Sequence, residues 1–198
     1  MSLLIESICC VDGAIINVHY HNMRMNKSRL DLFGCKDAIN ILDYITIHEP
    51  VNKGIWKIRI HYDEAITSIE YELYKKKSIQ SLKVVYDDTI DYSFKYADRS
   101  HIAKLFEERN KANDILIIKN GFVTDSSSAN VVFYDGYQLL TPTTPLLPGT
   151  KRAKLIDEGK IIEKIIKVKD ISSFSHVNLI NAFLDIGDIV IPVTSIIL

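Results

Sequence analysis

Two Asp-Gly dipeptides, each lying between two apolar runs, limit the folds open to this chain. Asp and Gly tolerate the positive φ angles that tight hairpin turns require, so Asp12-Gly13 and Asp135-Gly136 each predict a turn between antiparallel strands. The runs are residues 2–10 and 14–18 around the first dipeptide, and residues 129–134 and 137–141 around the second. The sequence therefore predicts antiparallel sheet at its beginning and again in its second half.

The spacing of apolar residues predicts further helices and strands around these hairpins. Residues 87–92 lose the apolar pattern and contain several aspartates, so we expect a linker there between domains at residues 1–88 and 89–198. The expected helices are residues 19–29, 36–47, 100–111 and 150–159, and the expected further strands are residues 55–62, 66–75, 81–86, 114–119, 121–124, 160–168, 176–181 and 188–193. Each half therefore combines helices with strands.

Charge and hydropathy exclude several classes of function. Lysine and arginine number 24 against 25 aspartates and glutamates, so no positive field favours a nucleic acid partner. No apolar run reaches the ~20 residues that span a bilayer, and Glu6 interrupts the first run, so we expect a cytoplasmic protein without a membrane segment. Cys9, Cys10 and Cys35 lack paired metal spacing, which predicts buried free thiols and no metal site.

One long segment carries motifs that are specific in order and spacing. Residues 114–156 read DILIIKNGFVTDSSSANVVFYDGYQLLTPTTPLLPGTKRAKLI: an acid, small residues and an Asn-Val strand, followed by a proline-rich approach to Gly-Thr and a helix. This segment resembles the class IV aminotransferases, which include D-amino-acid and branched-chain aminotransferases and 4-amino-4-deoxychorismate lyases. The resemblance extends to Lys95, to His21-Asn22-Met23-Arg24 as a His-x-x-Arg motif, and to residues 179–183 and 189–193.

The resemblance implies a fold, a cofactor and a set of site residues. The implied fold is the D-amino-acid aminotransferase-like α+β fold, in which two small α/β domains have the site for pyridoxal 5'-phosphate (PLP) between them. Lys95 takes the place of the lysine that forms the Schiff base with PLP. The other implied cofactor-binding residues are Arg24, Asp125, Gly149, Thr150, Lys151, Asn181 and Ala182.

Physical chemistry explains why such residue types would be needed. An aldehyde cofactor needs an amine that can lose its proton, and this amine can then carry a proton during the reaction. The cofactor ring needs a carboxylate beside its nitrogen, which the resemblance assigns to Asp125. Its phosphate needs backbone N–H groups at a helix start and a fixed cation such as Arg24. Taken without the resemblance, Asp125 could cap a turn at Ser126-Ser127-Ser128, the serine turn. Thr150 could likewise cap a helix, and Arg24 could be solvated.

Three departures from the family pattern bear on the site. Asp125 stands where the family usually has Glu, and about twenty residues that often precede the first strand in relatives are absent, so we expect a more open pocket. Arg99 follows the lysine by four residues and either reaches the cofactor or substrate or pairs with Asp98 to cap the next helix. Its role stays open at this point.

The sequence says less about the substrate. Alternation in residues 55–62 puts Lys57, Arg59 and His61 on one face of a strand. Arg59 or His61 could bind a substrate carboxylate if this face meets the cofactor, whereas both are solvated if the face meets water. The second alternative is favoured.

Three functions are compatible with these residues. The first is an aminotransferase that moves an amino group between an amino acid and a 2-oxo acid. The second is a 4-amino-4-deoxychorismate lyase that releases pyruvate and p-aminobenzoate. The third is a family member that binds PLP without turnover. The resemblance also implies a homodimer that acts on a small molecule.

Overall fold

The structure is a computed structural model that describes residues 3–198, and the chain packs as two compact units. The first unit extends to Lys76 and also includes Phe94–Asp98, and the second contains Lys77–Ser93 and Arg99–Leu198. Independent domains at residues 1–88 and 89–198 stay a prediction.

The strands and helices have the following bounds. The strands are β1 (Leu4–Val11), β2 (Ala14–Ile15), β3 (Ile55–Tyr62), β4 (Ile66–Leu73), β5 (Leu82–Tyr86), β6 (Asp114–Lys119), β7 (Phe122–Ser126), β8 (Asn130–Tyr134), β9 (Leu139–Pro142), β10 (Ile162–Lys164), β11 (His176–Ile180), β12 (Val190–Pro192) and β13 (Ile196–Ile197). The α-helices are α1 (Val18–Phe33), α2 (Ser100–Glu107) and α3 (Thr150–Asp157).

Both predicted hairpins are present. Asp12 and Gly13 have φ angles of 48° and 83° between the antiparallel strands β1 and β2. Gly136 has a φ angle of 103° in the loop between β8 and β9, where Phe133 pairs with Leu140 in antiparallel register. Asp12, Gly13 and Gly136 thus have the positive φ angles that the dipeptides predict, whereas Asp135 does not. The predicted strand at residues 14–18 is shorter in the structure, because β2 ends at Ile15 and α1 begins at Val18.

The first unit is an antiparallel sheet with α1 against it. Its strands, counted over the described residues, have the order β2-β1-β3-β4. Leu4, Ile8 and Cys10 of β1 and Ile58 and Ile60 of β3 lie on one face and are fully buried. This face forms the core of the first unit, which agrees with the alternation in the sequence.

The helix predicted at residues 36–47 is wrong, because only Ile41–Asp43 form a single 3-10 turn there. Two asparagines of α1 bind the backbone of this segment: the Asn26 Oδ1 accepts from Ile39 N at 2.8 Å and the Asn22 Oδ1 accepts from Ile41 N at 2.9 Å. Backbone amides that bind side chains of another element are not used for helical hydrogen bonds. The segment is therefore irregular.

The second unit is a larger mixed sheet with α2 and α3. Over the described residues it has nine strands; the main path runs β10-β9-β8-β7-β6-β5-β13, and β11 pairs with β8 and β12. The pairs β5·β6, β9·β10 and β5·β13 are parallel, so the sheet is mixed. Strand β10 is shorter than the predicted strand at residues 160–168.

No helix within residues 3–198 is long and apolar enough to cross a membrane. Within the described residues Cys9, Cys10 and Cys35 form no disulfide bond; Cys9 and Cys10 are buried and Cys35 is half-buried.

Candidate active site

Lys95 lies in a short extended segment that pairs with the edge of β1. The Lys95 carbonyl accepts a hydrogen bond from Ile5 N at 2.9 Å, and Leu4 and Tyr96 form an antiparallel bridge. Phe94 and Tyr96 pack against the core of the first unit, and the Lys95 side chain is half-buried. The strand therefore fixes the backbone of the predicted cofactor-binding lysine.

Arg24 belongs to a buried polar cluster that also contains Glu6 and His21. The Arg24 Nε donates to the Glu6 Oε1 at 2.8 Å, and the Arg24 Nη2 donates to the Glu6 Oε2 at 2.6 Å. The His21 Nδ1 lies 2.6 Å from the same Oε2. Because His21 and Arg24 are three residues apart on α1, both reach the one carboxylate of β1.

The cluster contains an anion, a cation and a neutral imidazole. Burial alone would raise the pKa of Glu6, but the charge of Arg24 and the hydrogen bonds from His21 and Arg24 lower it to about 2. Burial is the largest influence on the pKa of His21 and lowers it; the hydrogen bond and charge of Glu6 act in the opposite direction, and the charges of Arg24 and Lys95 also lower it, so that the net shift is downward. His21 is therefore neutral at pH 7, and its Nδ1–H donates to Glu6.

Asp125 is a buried carboxylate near the end of β7. Its Oδ1 accepts a hydrogen bond from the Asn130 Nδ2 at 2.8 Å, and its Oδ2 accepts one from Leu147 N at 3.0 Å. The Ser126 Oγ, not Asp125, accepts the turn hydrogen bond from Ala129 N at 3.1 Å. Asp125 thus does not cap the serine turn.

Burial controls the protonation of Asp125. It raises the pKa of Asp125 to about 6, although hydrogen bonds from Leu147 N and Asn130 and the charge of Arg152 act in the opposite direction. The carboxylate is therefore charged at neutral pH but lacks full compensation of that charge.

Gly149 precedes α3 and lies directly against Asn130. A Cβ on Gly149 would be 1.9 Å from the Asn130 Oδ1, which is far inside van der Waals contact. The Asn130 Nδ2 also donates to the Leu147 carbonyl at 2.9 Å. The missing side chain at Gly149 thus allows Asn130 to hold both Asp125 and the loop that leads to α3.

We expect the Gly149→Ala substitution to destabilise the protein by about 1–3 kcal/mol, because the new methyl group must displace Asn130. Thermal denaturation of the purified variant measures this effect. In an Asn130→Ala background the same substitution meets no amide oxygen, so its cost should largely disappear. An equal loss of stability in both backgrounds would contradict this account.

Helix α3 begins at Thr150, and Gly149 occupies the preceding cap position. Thr150 is buried and is not the N-cap residue. Lys151 is also buried, and its Nζ lies 2.7 Å from the Asp185 Oδ2. The structure thus gives the predicted phosphate-binding lysine a carboxylate partner.

Arg99 and Asn181 both bind the serine turn that follows Asp125. The Arg99 Nη2 donates to the Ser127 carbonyl at 2.5 Å, and the Asn181 Nδ2 donates to the Ser128 carbonyl at 3.2 Å. Arg99 is the residue before α2, and its side chain makes no cap hydrogen bond to that helix. The second unit thus brings Arg99, Asn181 and the Asp125 turn together.

Ala182 lies in the turn that begins at Asn181. The Asn181 Oδ1 accepts from Phe183 N at 2.9 Å, and Asn181 and Leu184 form an isolated antiparallel bridge. Ala182 is half-buried within this turn.

Arg59 and His61 lie on the face of β3 opposite the Glu6 cluster. Ile60 pairs with Glu6, so its neighbours Arg59 and His61 point to the other side of the sheet. On that side the Arg59 Nη1 lies 3.8 Å from the Glu70 Oε2, and the His61 Nε2 lies 3.5 Å from the Oε1 of the same carboxylate. The two candidates for substrate binding therefore lie beside Glu70 on that face and do not lie with Arg24.

Sequence reasoning missed Glu6 and Asn130 as site residues. Glu6 lies two residues from Leu4 and two from Ile8 in β1, so all three are on the same buried face. A charged residue at such a position could have indicated a functional site. Asn130 pairs with Asp125 in the antiparallel register of β7 and β8. The hairpin formed by the small residues between them could have indicated that pairing.

Residues 93–196 match the model of the family described as amino-transferase class IV. The chain belongs to the class IV aminotransferase family. The match confirms the family predicted from the motifs of residues 114–156, and with it an enzyme that depends on PLP.

One curated relative and one solved structure support this membership, and a second, more distant structure shares the fold. An uncharacterised protein of Haemophilus influenzae is 40% identical over 182 residues, which cover 90% of this chain and 96% of the relative. A proposed 4-amino-4-deoxychorismate lyase of Haemophilus somnus is 33% identical with a TM-score of 0.86, and the alignment covers 93% of this chain and 97% of the other. A hypothetical aminotransferase from Mycobacterium tuberculosis in a PLP-bound form has a TM-score of 0.77 at 15% identity, covering 98% and 81%, and so shares the fold. The predicted fold type is confirmed.

Proposed function

We propose that this class IV family member is an aminotransferase that moves an amino group between an amino acid and a 2-oxo acid, with Lys95 as its cofactor-binding lysine. The observation that carries the PLP-dependent reaction, which an aminotransferase and a lyase would share, is the buried carboxylate of Asp125, held by Asn130 and Leu147 N.

The protonation of Asp125 fits a cationic ring nitrogen. Its pKa of about 6 leaves a charge at neutral pH that burial disfavours, so a ligand that brings an N–H⁺ group to the carboxylate offsets this cost. When bound, PLP withdraws electrons from the α-carbon of an amino acid, and it does so best with its ring nitrogen protonated. The donor set therefore fits the cofactor.

Two features of this chain suit the phosphate of the cofactor. We assign to it the backbone N–H groups at the start of α3, from Thr150 onward, because a helix N-terminus favours an anion. We assign Arg24 as the cation, since its guanidinium is oriented by Glu6. Asn181 and Ala182 contribute through their turn, and Lys151 contributes charge while paired with Asp185.

Lys95 supplies the amine that carries the proton. Its backbone is held by Ile5 of β1, and its positive charge lowers the pKa of His21. The Lys95 Nζ would hold PLP, and as a free amine it would accept the α-proton of the substrate as a base and return a proton as an acid.

Substrate recognition is assigned to Arg99 in preference to Arg59 and His61. Arg99 is exposed and its guanidinium donates to Ser127 in the turn next to Asp125, so an anionic substrate near that turn meets its charge. Arg59 and His61 have Glu70 as a neighbour, which weakens their attraction for a further carboxylate.

A 4-amino-4-deoxychorismate lyase is the second candidate. The structure at 33% identity and TM-score 0.86 is described as a proposed enzyme of that kind, and it covers nearly the whole chain. The lyase removes the same α-proton, so Lys95 and Asp125 would have the same roles.

Spectroscopy of the purified protein with PLP distinguishes these functions. An aminotransferase should turn yellow with PLP, lose that visible absorption when an accepted amino acid is added, and regain it with a 2-oxo acid. Stoichiometric pyruvate and p-aminobenzoate from 4-amino-4-deoxychorismate would select the lyase. Stable uptake of PLP without either reaction would indicate the non-catalytic alternative, and no uptake at all would contradict the proposal.

A homodimer remains a prediction from the family resemblance, and a cytoplasmic location remains a prediction from the hydropathy of the sequence. Light scattering of the purified protein tests the first of these.

A further inference from the structure

Glu6 is a fully buried carboxylate on a strand face that is otherwise apolar. Leu4, Ile8 and Cys10 point to the same side of β1, and each of the four side chains has an exposure of 0%. A buried carboxylate is costly unless cations and hydrogen-bond donors surround it. Its place in this core therefore needs a reason beyond packing.

The contacts of Glu6 orient Arg24. The carboxylate meets the guanidinium through two atoms, Nε at 2.8 Å and Nη2 at 2.6 Å. Such a two-point contact fixes the plane of the guanidinium as well as its position. His21 donates to the Glu6 Oε2 from the preceding turn of α1 and so restrains the carboxylate itself.

Stability alone is a poor explanation for this pair. A buried ion pair is often no more stabilising than apolar side chains of the same size, because both ions lose their hydration. The exposure is also unequal: the Arg24 side chain is 14% exposed, whereas Glu6 has none. The anion is thus enclosed, and the cation extends to the boundary of the core.

The same strand also holds Lys95. Ile5 donates its backbone N–H to the Lys95 carbonyl at 2.9 Å, and the next residue of β1, Glu6, holds Arg24. Successive residues of one strand therefore fix the backbone of the lysine and the side chain of the arginine. A shift of either relative to the other would require β1 itself to move.

We propose that Glu6 is a positioning residue that holds the Arg24 guanidinium in the orientation in which it binds the phosphate of the cofactor. This inference rests on the proposed function, in which PLP is bound through Lys95 and Arg24. Glu6 touches neither the cofactor nor the substrate and acts through Arg24.

The test separates phosphate recognition from binding of the ring. Dissociation constants for PLP and for pyridoxal, which lacks the phosphate, are measured by absorbance titration of the apoprotein. The dissociation constant for pyridoxal divided by that for PLP is the ratio that gives the contribution of the phosphate. We expect Arg24→Gln to reduce this ratio by on the order of tenfold or more, since a charge-assisted contact is lost. Glu6→Gln should reduce it to a similar extent, while the affinity for pyridoxal stays within about threefold of the wild-type value.

Two further variants distinguish the loss of Arg24 orientation from misfolding caused by an unpaired buried charge. The double variant Glu6→Gln with Arg24→Gln leaves no unpaired charge in the core, and it should have the same ratio as Arg24→Gln alone because both residues act as one unit. Glu6→Asp keeps the charge but shortens the side chain, so it should fold and still lower the ratio. Circular dichroism verifies the fold of each variant.

Asp37→Asn is the matched control. Asp37 pairs at 2.9 Å with Arg29, another buried arginine of α1, and its side chain is exposed. This substitution also removes the carboxylate partner of a helix arginine, but the ratio for the phosphate should not change.

The outcomes separate the inference from the proposed function. If Arg24→Gln lowers the ratio while folded Glu6→Gln and Glu6→Asp keep the wild-type ratio, the inference about Glu6 is wrong and the proposed function stands. If Arg24→Gln keeps the ratio, Arg24 does not bind the phosphate and the inference is also overturned. If the wild-type protein binds no PLP, both are overturned.

Discussion

Replacement of Lys95 by Ala should abolish covalent attachment of PLP and lower turnover by on the order of a thousandfold or more. The reason is that both the covalent bond to the cofactor and the proton transfer depend on the Lys95 Nζ. Borohydride reduction of the wild-type protein with PLP should add the mass of the reduced cofactor to the peptide that contains Lys95. The variant should show no such addition.

Lys95→Arg and Lys104→Ala provide the controls. The arginine keeps the positive charge but cannot act as the amine, so it should be as inactive as the alanine variant. Lys104 is an exposed lysine of α2, and its replacement should change neither attachment nor turnover. Turnover of Lys95→Ala near the wild-type rate would refute the role assigned to this lysine.

Replacement of Asp125 by Asn should lower turnover on the order of a hundredfold, because the ring nitrogen loses the charged partner that keeps it protonated. Attachment to Lys95 should still occur, since the amine is untouched. The visible absorption after PLP addition therefore separates attachment from reaction. Asp157→Asn, which changes an exposed aspartate at the end of α3, should leave both unchanged.

The affinity for PLP should also depend on pH through Asp125. Burial raises the pKa of this carboxyl to about 6 in the free protein, and a bound cationic nitrogen lowers it again. The contribution of Asp125 to binding is therefore complete above pH 6 and is lost as the pH falls below 6, by up to about tenfold per pH unit. PLP itself titrates, so the measured quantity is the ratio of affinities of the wild-type and Asp125→Asn proteins. A ratio that is constant between pH 5 and pH 8 would contradict this prediction.

The elements that sequence reasoning predicted correctly are those encoded by neighbouring residues. The Asp-Gly hairpins depend on two adjacent residues that tolerate positive φ angles. The buried and exposed faces of β3 follow from the alternation of its own side chains. The family motifs could likewise be read without tertiary information, because each consists of a short segment in a fixed order.

The helix that was predicted wrongly and the contacts that were not predicted depend on distant partners. Apolar spacing at residues 36–47 is compatible with a helix, but the asparagines of α1 bind the backbone there instead. The importance of Glu6 depends on Arg24 and His21, which lie fifteen or more residues further along the chain. The partner of Lys151 is Asp185, and no local pattern relates the two.

The pairing of Lys95 with β1 has a consequence for how the chain can be made and divided. A ribosome must synthesise about ninety further residues after Ile5 before the segment that pairs with it exists. Until then the N–H groups at this edge of β1 are open to pairing with other strands, which favours aggregation. A fragment that ends at residue 88 would keep that open edge permanently, whereas one that continues through Asp98 would contain its own strand to close it.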